Sequence, residues 1–151
     1  MDFKTFCEKT AKFLNLELVP MKENAKRAIT YHATRSLPNP KYEVEFSDLS
    51  LSEEHQEYYA EVFGQLSGRM FLLGYIGCEK CNDEEYFEHW QCQVSPEGRY
   101  NENYMPIDEN GKETDGHLWQ YYYGKSLKRA CNSFLKGGAL TNPERKPIRV
   151  W

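Results

Sequence analysis

The sequence predicts an α+β fold: a small mixed or antiparallel sheet with its central strand near residues 70–76, packed by two or three helices. Three observations carry this expectation. Met70 to Ile76 is the most apolar run in a chain whose mean hydropathy is −0.79, and apolar side chains on both sides of a strand call for cover on both. Tyr42 to Phe46, YEVEF, alternates strictly between apolar and acidic residues. Helical periods recur elsewhere, at residues 2–14 and 117–136 and behind a capping-box pattern at Ser50.

Taken in order, the first element is a helix over residues 2–14. Phe3, Phe6, Cys7, Thr10, Phe13 and Leu14 share one face, and Asp2 stands at the N-cap. Leu16 to Val19 is too short to assign. Ala28 to Thr34 reads as a strand with Ile29, Tyr31 and Ala33 on one side, or as the end of a helix from Asn24. Pro38 and Pro40 enforce a loop. Tyr42 to Phe46 is a half-buried strand with Glu43 and Glu45 outward. Ser50-Leu51-Ser52-Glu53 opens a helix to about Leu66, with His55, Tyr59, Val62, Phe63 and Leu66 on its apolar face and Gly68 as its stop.

The apolar strand follows, with Phe71, Leu73 and Tyr75 on one side and Met70, Leu72 and Ile76 on the other. Beyond Cys81 a strand is preferred to a helix. It sets Tyr86, Trp90, Cys92 and Val94 opposite Phe87 and His89, before the turn at Ser95-Pro96-Glu97-Gly98. Tyr104 to Ile107 reads as extended, with a turn at Asn110-Gly111. A helix over about His117 to Lys136 ends at Gly137-Gly138, and Ile148 to Trp151 offers a last strand.

A length of 151 residues makes one globular domain, 1–151, the default. The N-terminus is charged and amphipathic, with no uninterrupted apolar core of a signal peptide, and no run approaches the roughly 18 apolar residues of a membrane span. Five cysteines cannot all pair within one chain. Together these features point to a reducing, cytoplasmic setting. The net charge of −4 conceals an uneven layout. Residues 1–41 are net +4, residues 42–116 net −14 and residues 117–151 net +6, and neither Lys nor Arg occurs between Tyr42 and Gly68. The acidic middle either pairs with the basic ends or forms an acidic surface for a basic partner.

Several chemistries have partial signatures. Cys78-x2-Cys81 followed by His89-x2-Cys92 supplies four zinc-type ligands, but on a strand residues three apart point to opposite faces. As a thiol-redox centre, Cys78 and Cys81 would carry acidic neighbours at Glu79 and Asp83 to Glu85 that raise thiol pKa values. His32-Ala33-Thr34 resembles one half of the His-x-Thr pair of two-histidine phosphoesterases, yet no second copy follows His89 or His117. Asp48, His55 and Ser50 form a triad only on paper, since no nucleophile elbow surrounds the serine. No Gly-rich phosphate loop is present, and Glu43-x-Glu45 lacks the following Lys of a common nuclease motif. A basic-aromatic patch around Lys125, Lys128, Arg129 and Tyr121 to Tyr123 sits in a chain of pI about 5.6, well below the value above ~9 of a dedicated nucleic-acid binder.

The sequence therefore favours a non-enzymatic protein-binding module with no cofactor. Glu43, Glu45, Asp48, Glu53, Glu54, Glu57 and Glu61 would steer a basic partner and Tyr58 would anchor it. Such a module would act as an inhibitor or immunity-type protein, including one that mimics nucleic-acid charge against a nucleic-acid-binding protein. The alternatives are a small zinc or thiol protein built on Cys78 and Cys81, and an enzyme whose site has no recognisable motif.

Overall fold

The computed structural model describes residues 1–31, 42–66, 69–91, 101–102, 107–113 and 122–136. Helix α1 spans Phe3–Phe13. Asp2 Oδ1 caps it by accepting from the Thr5 amide at 2.7 Å. Its end is a Schellman motif built on asparagine. Asn15 takes φ +59°, its amide donates to Lys12, and the Leu16 amide donates to the Ala11 carbonyl. Leu16 is buried at this stop and helps seat the helix on the sheet.

Six strands make one antiparallel sheet in sequence order: β1 Arg27–Ile29, β2 Tyr42–Asp48, β3 His55–Leu66, β4 Arg69–Cys81, β5 Glu84–Gln91 and β6 Tyr122–Gly124. Helix α2, Leu127–Lys136, follows β6. The fold is thus α+β but mostly sheet, with two helices among the described residues. Helix α1 lies against β2 and β3, helix α2 against β4, β5 and β6, and the two helices touch. One layer of the core comes from Ala28, Val44, Phe46, Tyr58, Ala60, Val62, Leu73, Ile76, Cys78 and Phe87. Phe3, Phe6, Cys7, Ala130, Cys131 and Phe134 descend on it from the helices. Phe6 meets Phe46 edge-on at 6.2 Å and Tyr58 at 5.6 Å.

The helix expected over residues 51–66 is instead strand β3. HQEYYAEVFGQL also fits a period of two, and Tyr58, Ala60, Val62 and Gly64 are its buried positions. The apparent capping box is the turn entering that strand: Ser52 Oγ accepts from the His55 amide and Ser50 Oγ from the Glu57 amide, each at 3.1 Å. Of the helix expected over His117 to Lys136, residues 117–121 lie outside the described residues, and the helix that is described begins at Leu127. Ser126 caps it by accepting from the Arg129 amide at 3.3 Å, while Tyr122 and Tyr123 belong to β6.

Strand β4 is central, with β3 and β5 as its neighbours, and it runs further than expected, to Cys81. Its phase also differs. Val62 pairs with Gly74 and Phe63 with Leu72, so Leu73 is the extra residue of a bulge. Leu73 and Ile76 both point into the core, and Leu72 is partly exposed. Gly64 makes room for this: a Cβ there would stand 2.6 Å from Leu73 Cδ1.

Strand β5 sets Phe87 and His89 opposite Tyr86 as expected, and the structure turns Phe87 and His89 inward. Of the two readings of Ala28 to Thr34, the described residues take the strand, as β1, with residues 32–34 outside the description; Ala28 and Thr30 face in, and Ile29 and Tyr31 face solvent. Residues 17–19 cover its edge. The Val19 amide donates to Ile29 and the Tyr31 amide to Glu17. Asn110-Gly111 forms a turn, with Gly111 at φ +79° and the Ile107–Glu113 bridge behind it. The strand proposed at Ile148 to Trp151, the far end of the β5 assignment at Cys92 and Val94, and His32 lie outside the described residues. No helix among the described residues is long and apolar enough to cross a membrane.

Candidate functional site

Both helices lie on one side of the sheet. Strict alternation therefore sends a second set of side chains to the side away from them. From β2 these are Glu43 and Glu45; from β3 Glu57, Tyr59, Glu61 and Phe63; from β4 Tyr75, Gly77 and Glu79; from β5 Tyr86 and Glu88; from β6 Tyr123. Glu45, Glu79 and Tyr123 are exposed and the other carboxylates of the set half-buried.

The register decides how they meet. Glu45 stands directly opposite Glu61 on the neighbouring strand, and Glu57 directly opposite Glu79. Directly opposed like charges on one sheet face are destabilising. At a separation of about 6 Å the repulsion is roughly 1 kcal/mol in a water-like dielectric and roughly 3 kcal/mol at an effective dielectric of 20, before salt screening. His55 Nε2 lies 3.5 Å from Glu79 Oε1 and offsets this charge only as the imidazolium. Among the described residues none of Lys125, Lys128 and Arg129 forms an ion pair with this acidic set. The remaining described ion pairs are Lys4–Glu8, Lys26–Asp48 and Met1–Glu85.

Tyrosines hold the carboxylates in place. The Tyr59 hydroxyl donates to Glu57 Oε1 at 2.7 Å and the Tyr75 hydroxyl to Glu88 Oε1 at 2.8 Å, and the two rings meet at 5.5 Å. Partial burial, then the bond to Glu57, pushes the Tyr59 phenol well above its ordinary value. Gly77 lies beneath this pair: a Cβ there would stand 3.2 Å from the Tyr75 ring and 3.3 Å from Glu88 Cγ. Further along, Tyr86 stacks on Tyr123 at 5.2 Å, and Lys125 Nζ lies 5.6 Å from the Tyr86 ring centroid.

Of the eight residues expected to form the site, the structure brings Glu43, Glu45, Glu57 and Glu61 together on this face. Asp48 is elsewhere, in a mixed-charge cleft of about 870 Å³ with Asp2, Lys4, Lys22, Lys26 and Glu53. Burial raises the Asp48 carboxyl, but the Ser50 hydrogen bonds and Lys26 at 3.3 Å together hold it below its ordinary value. Glu54 is exposed in the turn between β2 and β3. Tyr58 is a correction: it is 3% exposed, packs on Phe3 and Phe6, and donates to the Met1 carbonyl at 3.1 Å, so it anchors the core and not a partner. Glu79, Glu88, Tyr59, Tyr75, Tyr86 and Tyr123 were missed. The period-two alternation of residues 75–81 and 84–88 is the signal that points to most of them.

The cysteine chemistry is separated by the strand. Cys78 is buried facing the helices and Cys81, three residues on, points to the other face. Burial, then Glu85, pushes the Cys78 thiol up to about 12, the opposite of a reactive thiolate. Among the described residues no His, Cys, Asp or Glu side chains gather to hold a metal ion. No protein-family model matches the chain, and neither does any curated protein or solved structure.

Proposed function

We propose that this protein is a non-enzymatic binding module whose sheet face opposite α1 and α2 engages the basic surface of a protein partner, in the manner of an inhibitor or immunity-type factor. One observation carries the proposal: two Glu–Glu pairs, Glu45–Glu61 and Glu57–Glu79, are directly opposed across strands on a solvent-facing surface. A fold that holds like charges together gains when a cation arrives between them, so part of the binding free energy is already stored in the unbound protein. Partners of this class include proteins that otherwise bind nucleic acid, whose phosphate charge the face would mimic.

The test is binding of a fluorescent oligo-lysine peptide, a generic basic probe, across a salt series. The parent should bind with a steep salt dependence. Changing Glu45, Glu57, Glu61 and Glu79 to Lys should weaken binding roughly tenfold or more and flatten that dependence. The same four changes should remove basic proteins from those captured out of a native lysate. Equal affinity of parent and variant would remove the proposal.

A further inference from the structure

We infer that protonation of His89 releases β6 and α2 together from the sheet, giving the protein an acid-opened form in which α1 and the other strands stay in place. The inference is independent of the acidic face. It starts from an imidazole that is fully buried, with neither ring nitrogen hydrogen-bonded among the described residues. Buried polar atoms are nearly always satisfied, so this pair of orphans marks a place where the fold holds an unfavourable group. Protonation makes both nitrogens N–H donors and adds a charge. Among the described residues, the titratable side chains on the inner side of the elements around it are Cys78 and Lys80 on β4, Glu85 on β5, Tyr122 on β6 and Cys131 on α2, while Lys128, Arg129 and Lys136 of α2 are exposed. Glu85 is the carboxylate of this set, and it is already bonded to the Met1 amine at 3.0 Å. Burial is what holds the imidazole neutral, pushing it down to about 4.

What covers the imidazole decides which part moves. Its ring contacts are Tyr122 of β6, stacked at 5.9 Å, and Phe134 of α2, edge-on at 6.1 Å. Tyr122 is also its direct partner in the register of β5 with β6. Strand β6 pairs with β5 only over Phe87 to His89, whereas β4 pairs with β5 along its whole length, Glu84 to Gln91. Lys125 and Ser126 alone separate β6 from α2, so the two leave as a unit. Lifting them brings the imidazole to water and leaves the ladder from β1 to β5 intact. Helix α1 keeps its own seat, with Phe3 and Phe6 on Tyr58 and Phe6 on Phe46. The stacked Tyr122 ring attracts an imidazolium, but stacking leaves both in-plane N–H groups without acceptors, and release to water satisfies them. Local opening needs less free energy than global unfolding, so a group that is unfavourable under a thinly paired edge element opens that element first. The opened form binds the proton at the ordinary value near 6.5 and the closed form only near 4, so opening grows as pH falls between the two.

Each helix carries its own reporter: Cys7 on α1 and Cys131 on α2 are both fully buried. Dithiodipyridine, a disulfide reagent that reacts with thiols in acid, is pulsed onto the native protein at a series of pH values from about 7 to about 4. Unfolded protein at each pH is the reference, and labelled peptides are read by mass spectrometry. Cys131 labelling should rise about tenfold or more across this range while Cys7 stays protected. His89→Phe should hold Cys131 labelling near its neutral-pH level throughout. If that variant folds poorly, hydrogen exchange of the parent decides: residues 122–136 should lose protection in acid while α1 and β2 to β4 keep theirs. Equal exposure of Cys7 and Cys131 in acid, protection of both at every pH, or undiminished acid labelling of Cys131 in a folded His89→Phe protein each overturns the inference.

Discussion

His89 shows what one residue's surroundings decide. It is fully buried on β5, stacked on Tyr122 at 5.9 Å and edge-on to Phe134 at 6.1 Å. Ile76 stands opposite it on β4. Neither ring nitrogen has a hydrogen-bond partner among the described residues. Its described contacts are thus aromatic or apolar, and burial is what acts on its charge. Burial pushes the imidazole down to about 4 from an ordinary 6.5. The unfolded chain therefore binds a proton that the fold refuses. Stability is fully present above pH ~6.5 and is lost as pH falls from there towards 4, by up to roughly 3 kcal/mol. Urea unfolding between pH 7 and 4 should show this slope in the parent, and His89→Phe should lose most of it. An unchanged slope in the variant would place the acid sensitivity elsewhere.

At the scale of the element, β3 carries the consequence of register. Its outward residues Glu57 and Glu61 each face a glutamate on an adjacent strand, Glu79 on β4 and Glu45 on β2. Removing one charge should relieve repulsion without disturbing the ladder, because the backbone pairing is unchanged. Glu61→Gln should therefore raise the unfolding free energy, by about 0.5 kcal/mol, while it weakens binding of a basic peptide. Denaturant unfolding and anisotropy on the same preparation read both. A destabilised Glu61→Gln would mean that the chain itself already neutralises the pair. This opposite movement of stability and affinity separates a binding surface from a merely solvated one.

At the scale of the whole molecule, a sheet with helices on one side has two unlike faces, and its thiols report which is which. Cys7, Cys78 and Cys131 are buried between sheet and helices, and burial pushes each up to about 12. Cys81 is half-buried on β4 and points away from the helices. Brief alkylation of the native protein, mapped by mass spectrometry, should modify Cys81 and spare Cys7, Cys78 and Cys131 until denaturant is added. Early labelling of Cys7 or Cys131 would show that the helices do not seal the core.

Much of this was legible locally. The N-terminal helix and the alternation of residues 42–46 follow from short-range pattern, because each segment fits one period and not the other; beyond Cys81 both periods fit, and the turn residues that follow favour the strand. The concentration of negative charge between residues 42 and 116 is a property of composition that no fold alters. Residues 55–66 fit both periods. Hydrogen bonding to β2 on one side and β4 on the other made them a strand, and that reversal turned Tyr58 inward and Tyr59 outward. The bulge at Leu73 and the glutamates set face to face exist only once strands are in register. Register depends on partners far away in the chain, and so only the tertiary structure decided it.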